Sequence, residues 1–164
     1  MSKAKILVIS DVHGHVTELR WILKNETADA MFFLGDGLYD LDGALNLMRE
    51  PLPYPVYRVR GNMDPGFEDP MDGLVPIAGV LFYYTHGNLL YVKSGYDELS
   101  DAAQARGADV ALFGHTRRRG LIHADTPDLP TLFNPGSVKD GGSYGIITVE
   151  DDGSCSYDWK RVTQ

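Results

Sequence analysis

The chain has a single cysteine, Cys155, so no disulfide can form within it and no cysteine-rich zinc spacing exists. No histidine stands near Cys155 in sequence, and it reads as a half-buried strand residue rather than a reactive thiol. Long apolar runs are missing too, since no stretch approaches the roughly twenty residues of a membrane span. Lys3 and Lys5 precede Ile6-Leu7-Val8-Ile9, but that run is only about four residues, short of the roughly seven to fifteen of a secretory signal core. The expectation is therefore a cytoplasmic protein without a membrane partner. Positive charge is scarce, with 15 Lys and Arg against 23 Asp and Glu and a formal net charge of -8. A field of that sign disfavours a dedicated nucleic-acid binder, although Arg117-Arg118-Arg119 forms a local basic patch. Repeats, low-complexity tracts and linkers are also lacking, so one domain over residues 1–164 is expected.

What is present is an alternation of short apolar runs and helical patterns. At 43% hydrophobic residues the chain can bury a substantial core. Residues 5–10, 30–34, 55–60, 80–85 and 109–113 read as strands, and the apolar residues in the first two are continuous, as in strands buried on both faces. Residues 15–24, 40–48 and 96–106 carry helical spacing, with Gly107 placed to end the last of these. Beyond Gly114 the runs 120–122, 131–133, 144–149 and 154–161 look like strands without intervening helices, and Asp151-Asp152-Gly153 is a hairpin signal. An α/β first part followed by a meander suggests two sheets with helices on their outer faces.

Five of these strands end in a side chain that can bind metal. Asp11 and His13 follow the first, Asp36 the second, Asn62 the third, His86 the fourth and His115 the fifth. Glycine stands beside most of them, in Gly35-Asp36, Gly61-Asn62, His86-Gly87 and Gly114-His115, allowing a sharp turn and leaving room for an ion and a substrate. Taken singly, each is ordinary, because acidic residues cap helices and Gly-Asn makes turns. Together they place three of the chain's five histidines at strand ends, where ligands bind in α/β folds. Mixed oxygen and nitrogen donors suit Mn²⁺, Fe²⁺ or Zn²⁺.

The order Asp11-Val12-His13, Gly35-Asp36, Gly61-Asn62-Met63-Asp64, Thr85-His86-Gly87 and Gly114-His115-Thr116 resembles the calcineurin-like metallophosphoesterase superfamily. With Asn134-Pro135-Gly136-Ser137 it is similar to the small bacterial and archaeal phosphodiesterase branch. The resemblance implies a four-layer αββα sandwich of two mixed sheets flanked by helices. It also implies two divalent cations, Mn²⁺ first among them, with Fe²⁺, Zn²⁺ or Ni²⁺ as alternatives. Asp11 and His13 would hold the first, Asp36 would bridge, and Asn62, His86 and His115 would hold the second. A bridging anion offsets the repulsion between the cations, and the pair yields a hydroxide for in-line attack on phosphorus.

The chain departs from that pattern at three positions. Where the family's last motif has a second histidine ligand, this sequence has Arg117, whose guanidinium cannot ligate. His15 and His123 are the remaining imidazoles that could replace it. A histidine often follows the motif asparagine and serves the leaving group; here it is Met63, which favours diesters or activated esters. Asn88 stands where the branch often has histidine. Arg117, Asn88, His15 and Asp64 are expected to contact a small phosphoester substrate, Arg117 through its fork of donors and Asp64 as an alternative proton donor. Two other readings stay open: a phosphomonoesterase, or a weakened metal-binding scaffold like a small endosomal sorting subunit that resembles these enzymes. Val80 to Tyr84 and Leu89 to Val92 would then be candidate interaction surfaces, although most of these residues are expected in the core. A homo-oligomer is compatible with either.

Overall fold

A computed structural model describes residues 2–162. The ten strands among the described residues form two five-stranded sheets. The first contains β1 (Ser2–Ile9), β2 (Ala30–Phe33), β3 (Val56–Arg58), β9 (Ser143–Glu150) and β10 (Cys155–Arg161), in the order β10-β9-β1-β2-β3. The second contains β4 (Asp72–Ile77), β5 (Val80–Thr85), β6 (Val110–Leu112), β7 (Arg119–Ile122) and β8 (Thr131–Pro135), in the order β4-β5-β6-β8-β7. Both are mixed: β1, β2 and β3 run parallel, with β9 antiparallel beside β1 and β10 antiparallel to β9, and β5, β6 and β8 run parallel, with antiparallel β4 and β7 on either side.

The continuous apolar runs are explained by what lies on each face. Ile6, Val8, Phe32 and Leu34 point between the sheets, where they meet Phe82, Tyr84, Leu112 and Phe133. The intervening Leu7, Ile9, Met31 and Phe33 point outward and pack under α1 (Val16–Asn25) and α2 (Leu38–Asn46) through Leu19, Ile22 and Leu41. On the far side Tyr83, Ala111 and Phe113 pack under α3 (Asp97–Ala105) through Leu99 and Ala103. Neither face of the central strands meets water, so polar alternation has no place in them. The order of layers is helix, sheet, sheet, helix, the αββα sandwich expected.

Two elements differ from the sequence reading. Strand β4 lies outside the runs that read as strands; it is half exposed and contains Pro76, so its pattern is weak. Helix α2 begins at Leu38 rather than at residue 40, because a side chain distant in sequence caps it, as described below. No helix among the described residues is long and apolar enough to cross a membrane.

Candidate metal centre

The parallel strands of both sheets end at one edge, and their following residues converge there. Asp36 Oδ2 lies 3.1 Å from His86 Nε2 and 3.7 Å from His13 Nε2, while His13 Nε2 is 3.3 Å from Asp11 Oδ1. The His86 and His115 rings meet edge to face with centroids 5.0 Å apart. Two triads result, Asp11-His13-Asp36 and Asp36-His86-His115, each with ligand atoms within 4.8 Å of one another. Asp36 belongs to both. Asn62 is exposed in the turn between Gly61 and Met63, and the Met63 N–H donates to Asp36 Oδ1 at 2.8 Å.

The donor set fits a cation. His86 is fully buried, and its Nδ1 lies 2.7 Å from the Leu34 carbonyl, which can only accept, so Nδ1 carries the proton. Nε2 then turns a lone pair toward the Asp36 carboxylate and has no aligned hydrogen-bond partner. Two acceptors at this distance repel unless a proton or a cation lies between them. Burial pulls the His86 pKa down, but the Asp36 and Asp11 carboxylates outweigh it and leave the imidazole above its usual value. Burial likewise pushes Asp36 up, and His86, the Met63 N–H and His13 reverse this, holding it below the ordinary carboxylate range. Burial and the charges of His86 and Lys93 lower His115.

The backbone at the centre is strained. Asp11, His13, Asp36, His115 and Arg117 all have left-handed φ, from 44° to 67°, although none is glycine. Such conformations persist only where surrounding structure imposes them, and they gather at functional sites. The imposing contacts are visible. Ser10 Oγ and the His115 N–H both donate to Asp11 Oδ2, and Ser137 Oγ donates to the Asp11 carbonyl at 2.7 Å. The neighbouring glycines serve close approach: a Cβ on Gly61 would collide with Asp36 Oδ1, and one on Gly114 with Ser10 Oγ.

Of the other expected site residues, Asn88 is half-buried and opens a short 3-10 helix (Asn88–Leu90) just after His86. His15 lies at the start of α1 with Nδ1 3.3 Å from Glu18 Oε2, and it joins neither triad. His123 packs on Tyr157, away from both triads. Arg117 is exposed, two residues beyond His115. Asp64 is placed differently from a substrate contact: it is buried, and its carboxylate accepts from the N–H groups of Asp36, Gly37, Leu38 and Gly61 at 2.7–3.0 Å. It thereby ties the Asp36 turn to the Asn62 turn and caps α2. Sequence reasoning missed this role; the acid three residues after Gly61 was the only signal. Val80, Phe82, Tyr83 and Tyr84 are core residues, whereas Leu89 and Tyr91 are exposed beside the centre.

Candidate metal ligands on the carboxyl ends of two mixed sheets define a metal-site class of fold, and comparison with known proteins sharpens it. Residues 4–152 match the model of the calcineurin-like phosphoesterase superfamily domain. The chain is 30% identical over 152 residues to the probable metallophosphoesterase YsnB of Bacillus subtilis, covering 90% of this chain and 85% of that one. Among solved structures it is similar to a conserved uncharacterized protein of Streptococcus pneumoniae, a predicted phosphoesterase. There the TM-score is 0.78 at 24% identity, over 98% of this chain and 91% of that one. It is also similar in fold to Vps29 of Entamoeba histolytica complexed with zinc, with a TM-score of 0.66 at 18% identity over 96% and 98% of the two chains. The chain belongs to the calcineurin-like phosphoesterase superfamily.

Proposed function

We propose that the chain is a phosphodiesterase that uses two divalent cations. One observation carries the reading: the Asp36 carboxylate is shared by both triads and faces His13 on one side and His86 on the other. Asp11, His13 and Asp36 would hold the first cation, and Asp36, Asn62, His86 and His115 the second. Bound cations supply a water of lowered pKa for in-line attack and neutralise charge on the phosphoryl oxygens. The chain's own contribution is placement. Asp64, Ser10, Ser137 and the His115 N–H hold Asp36 and Asp11 in conformations that the free chain would leave. Met63 offers no proton to a leaving group, which favours diesters and activated esters over monoesters of poor leaving groups. Mn²⁺ suits the donor set, and Zn²⁺, Fe²⁺ and Ni²⁺ share it.

The test is Mn²⁺-stimulated hydrolysis of bis(nitrophenyl) phosphate beside the nitrophenyl monoester. Turnover of the diester should exceed that of the monoester and vanish in Asp36→Asn and His86→Ala. Wild-type turnover no higher than that of these variants in excess Mn²⁺ would overturn the enzymatic reading. That result would favour the scaffold reading, which the exposed Leu89 and Tyr91 beside the centre support.

A further inference from the structure

Two loops held against Asp11 carry exposed cations whose side chains make no hydrogen bond or ion pair. Arg58 and Arg106 are ion-paired with aspartates, Lys5 and Lys160 with Glu26, and Arg60, Arg119 and Arg161 are hydrogen-bonded. Among the described residues, the side chains of Arg117, Arg118 and Lys139 have no hydrogen-bond or ion-pair partner, as is also true of Lys3, Arg20, Lys24, Arg49 and Lys93, and all three of the first are exposed. What sets Arg117, Arg118 and Lys139 apart is their place, on the two loops that hold Asp11.

The backbone shows that they share a place. The His115 N–H donates to Asp11 Oδ2 at 3.1 Å, which sets the 115–118 turn against the first triad. Buried Asn134 locks that turn: its Nδ2 donates to the Gly114 carbonyl at 3.2 Å and to Thr116 Oγ1 at 3.0 Å, and Thr116 Oγ1 also accepts from the Arg118 N–H. From the other side the Lys139 N–H donates to the Asp11 carbonyl at 3.3 Å and to Ser137 Oγ at 3.1 Å. Asp11 is thus held between two loops, one carrying Arg117 and Arg118, the other Lys139. Arg117 keeps a left-handed φ of 61°, a conformation that arginine has no intrinsic reason to adopt. The Asp11 and Asp36 carboxylates belong to the triads and pair with neither Arg117, Arg118 nor Lys139.

We infer that Arg117, Arg118 and Lys139 form a subsite for a second, terminal phosphate of the substrate, so that the enzyme acts on phosphodiesters that also carry a phosphomonoester. The inference rests on the phosphodiesterase reading above. A diester brings one negative charge, which the metal centre can neutralise; a terminal phosphate brings up to two more, and guanidinium forks with an ammonium match its oxygens. Because the subsite lies on the side of the first triad, where a ligand is lacking, it would also anchor the substrate independently of the more weakly held cation.

The experiment uses two nitrophenyl esters of thymidine 5′-phosphate that differ only in a 3′-phosphate. In wild type, kcat/KM should favour the phosphorylated ester by about tenfold or more, mainly through KM, and the preference should shrink as salt screens the subsite. In Arg117→Ala with Lys139→Ala the ratio should collapse toward unity. A second arm reads binding without turnover: thymidine 3′,5′-bisphosphate should bind the chelator-treated protein, and the double variant should lose that binding. Equal kcat/KM for the two esters in wild type would overturn the subsite, as would bisphosphate binding that survives the double substitution. If neither ester is turned over, the phosphodiesterase reading fails, and the binding arm alone decides the subsite.

Discussion

The Asp36 N–H donates to the Asp64 carboxylate at 2.7 Å, so the residue shared by both triads is held by an acid from the next strand's turn. Three further N–H groups, of Gly37, Leu38 and Gly61, converge on the same carboxylate. Asp64→Asn replaces one acceptor oxygen by a donor facing buried donors. The expected cost is about 2–4 kcal/mol of stability, read by denaturant unfolding. Mn²⁺ affinity should fall with it, because Asp36 loses the support that holds its left-handed turn. Unchanged affinity would show that the turn holds itself.

Gly61 is constrained by space rather than by φ. A Cβ there would collide with Asp36 Oδ1 and lie 2.8 Å from the Asp36 nitrogen. Gly61→Ala is expected to cost about 1–3 kcal/mol, typical of overpacking, and to weaken cation binding by displacing the shared carboxylate. Calorimetric titration with Mn²⁺ measures the second effect directly.

Protons and cations compete for the gap between His86 and Asp36. His86 has a raised pKa in the folded chain, so the protonated pair contributes stability below the imidazole's ordinary 6.5 and loses it as pH rises through the raised value. A cation needs the deprotonated ring. The rise in Tm on adding Mn²⁺ should therefore grow from about pH 6 to about pH 8. A shift that is flat with pH would place the cation elsewhere.

Away from the centre, Glu26 accepts from the Tyr144 hydroxyl at 2.6 Å and pairs with Lys5 and Lys160. Burial would raise its pKa, but these partners win and hold it below its ordinary 4.5. Its stability contribution is present above that value and is lost as pH falls through the lowered one. Glu26→Gln should therefore be less stable than wild type at neutral pH, with the gap closing in acid. Thermal melts across the acid range check it.

Arg117→His would place an imidazole where the family pattern has its missing ligand. The first cation should then bind about tenfold more tightly, bringing the two affinities closer together. Elemental analysis after dialysis against low Mn²⁺ gives the stoichiometry; an unchanged ratio would show that residue 117 points away from the first triad.

The parts legible in sequence were those with both faces buried. Ile6 to Ile9 and Met31 to Leu34 are continuous because one set of side chains meets the other sheet and the alternate set meets helices. Their abrupt ends at Asp11 and Asp36 marked the site. Strand β4 was hidden because it is half exposed and interrupted by Pro76. The start of α2 was hidden for another reason: its cap, Asp64, lies 26 residues from Leu38, and local sequence carries no trace of such a partner. The same distance concealed the role of Asp64, whose place in a motif suggested substrate rather than backbone.

The first triad draws on one sheet, and the second, through Asp36, on both. Asp11, His13 and Asp36 follow strands of the first sheet, and His86 and His115 follow strands of the second. A cation between Asp36 and His86 would therefore rivet one sheet to the other at the edge where only loops close the sandwich. Catalytic ions here would also be fasteners, and stripping them should raise hydrogen exchange at that rim before it reaches the far ends of the strands.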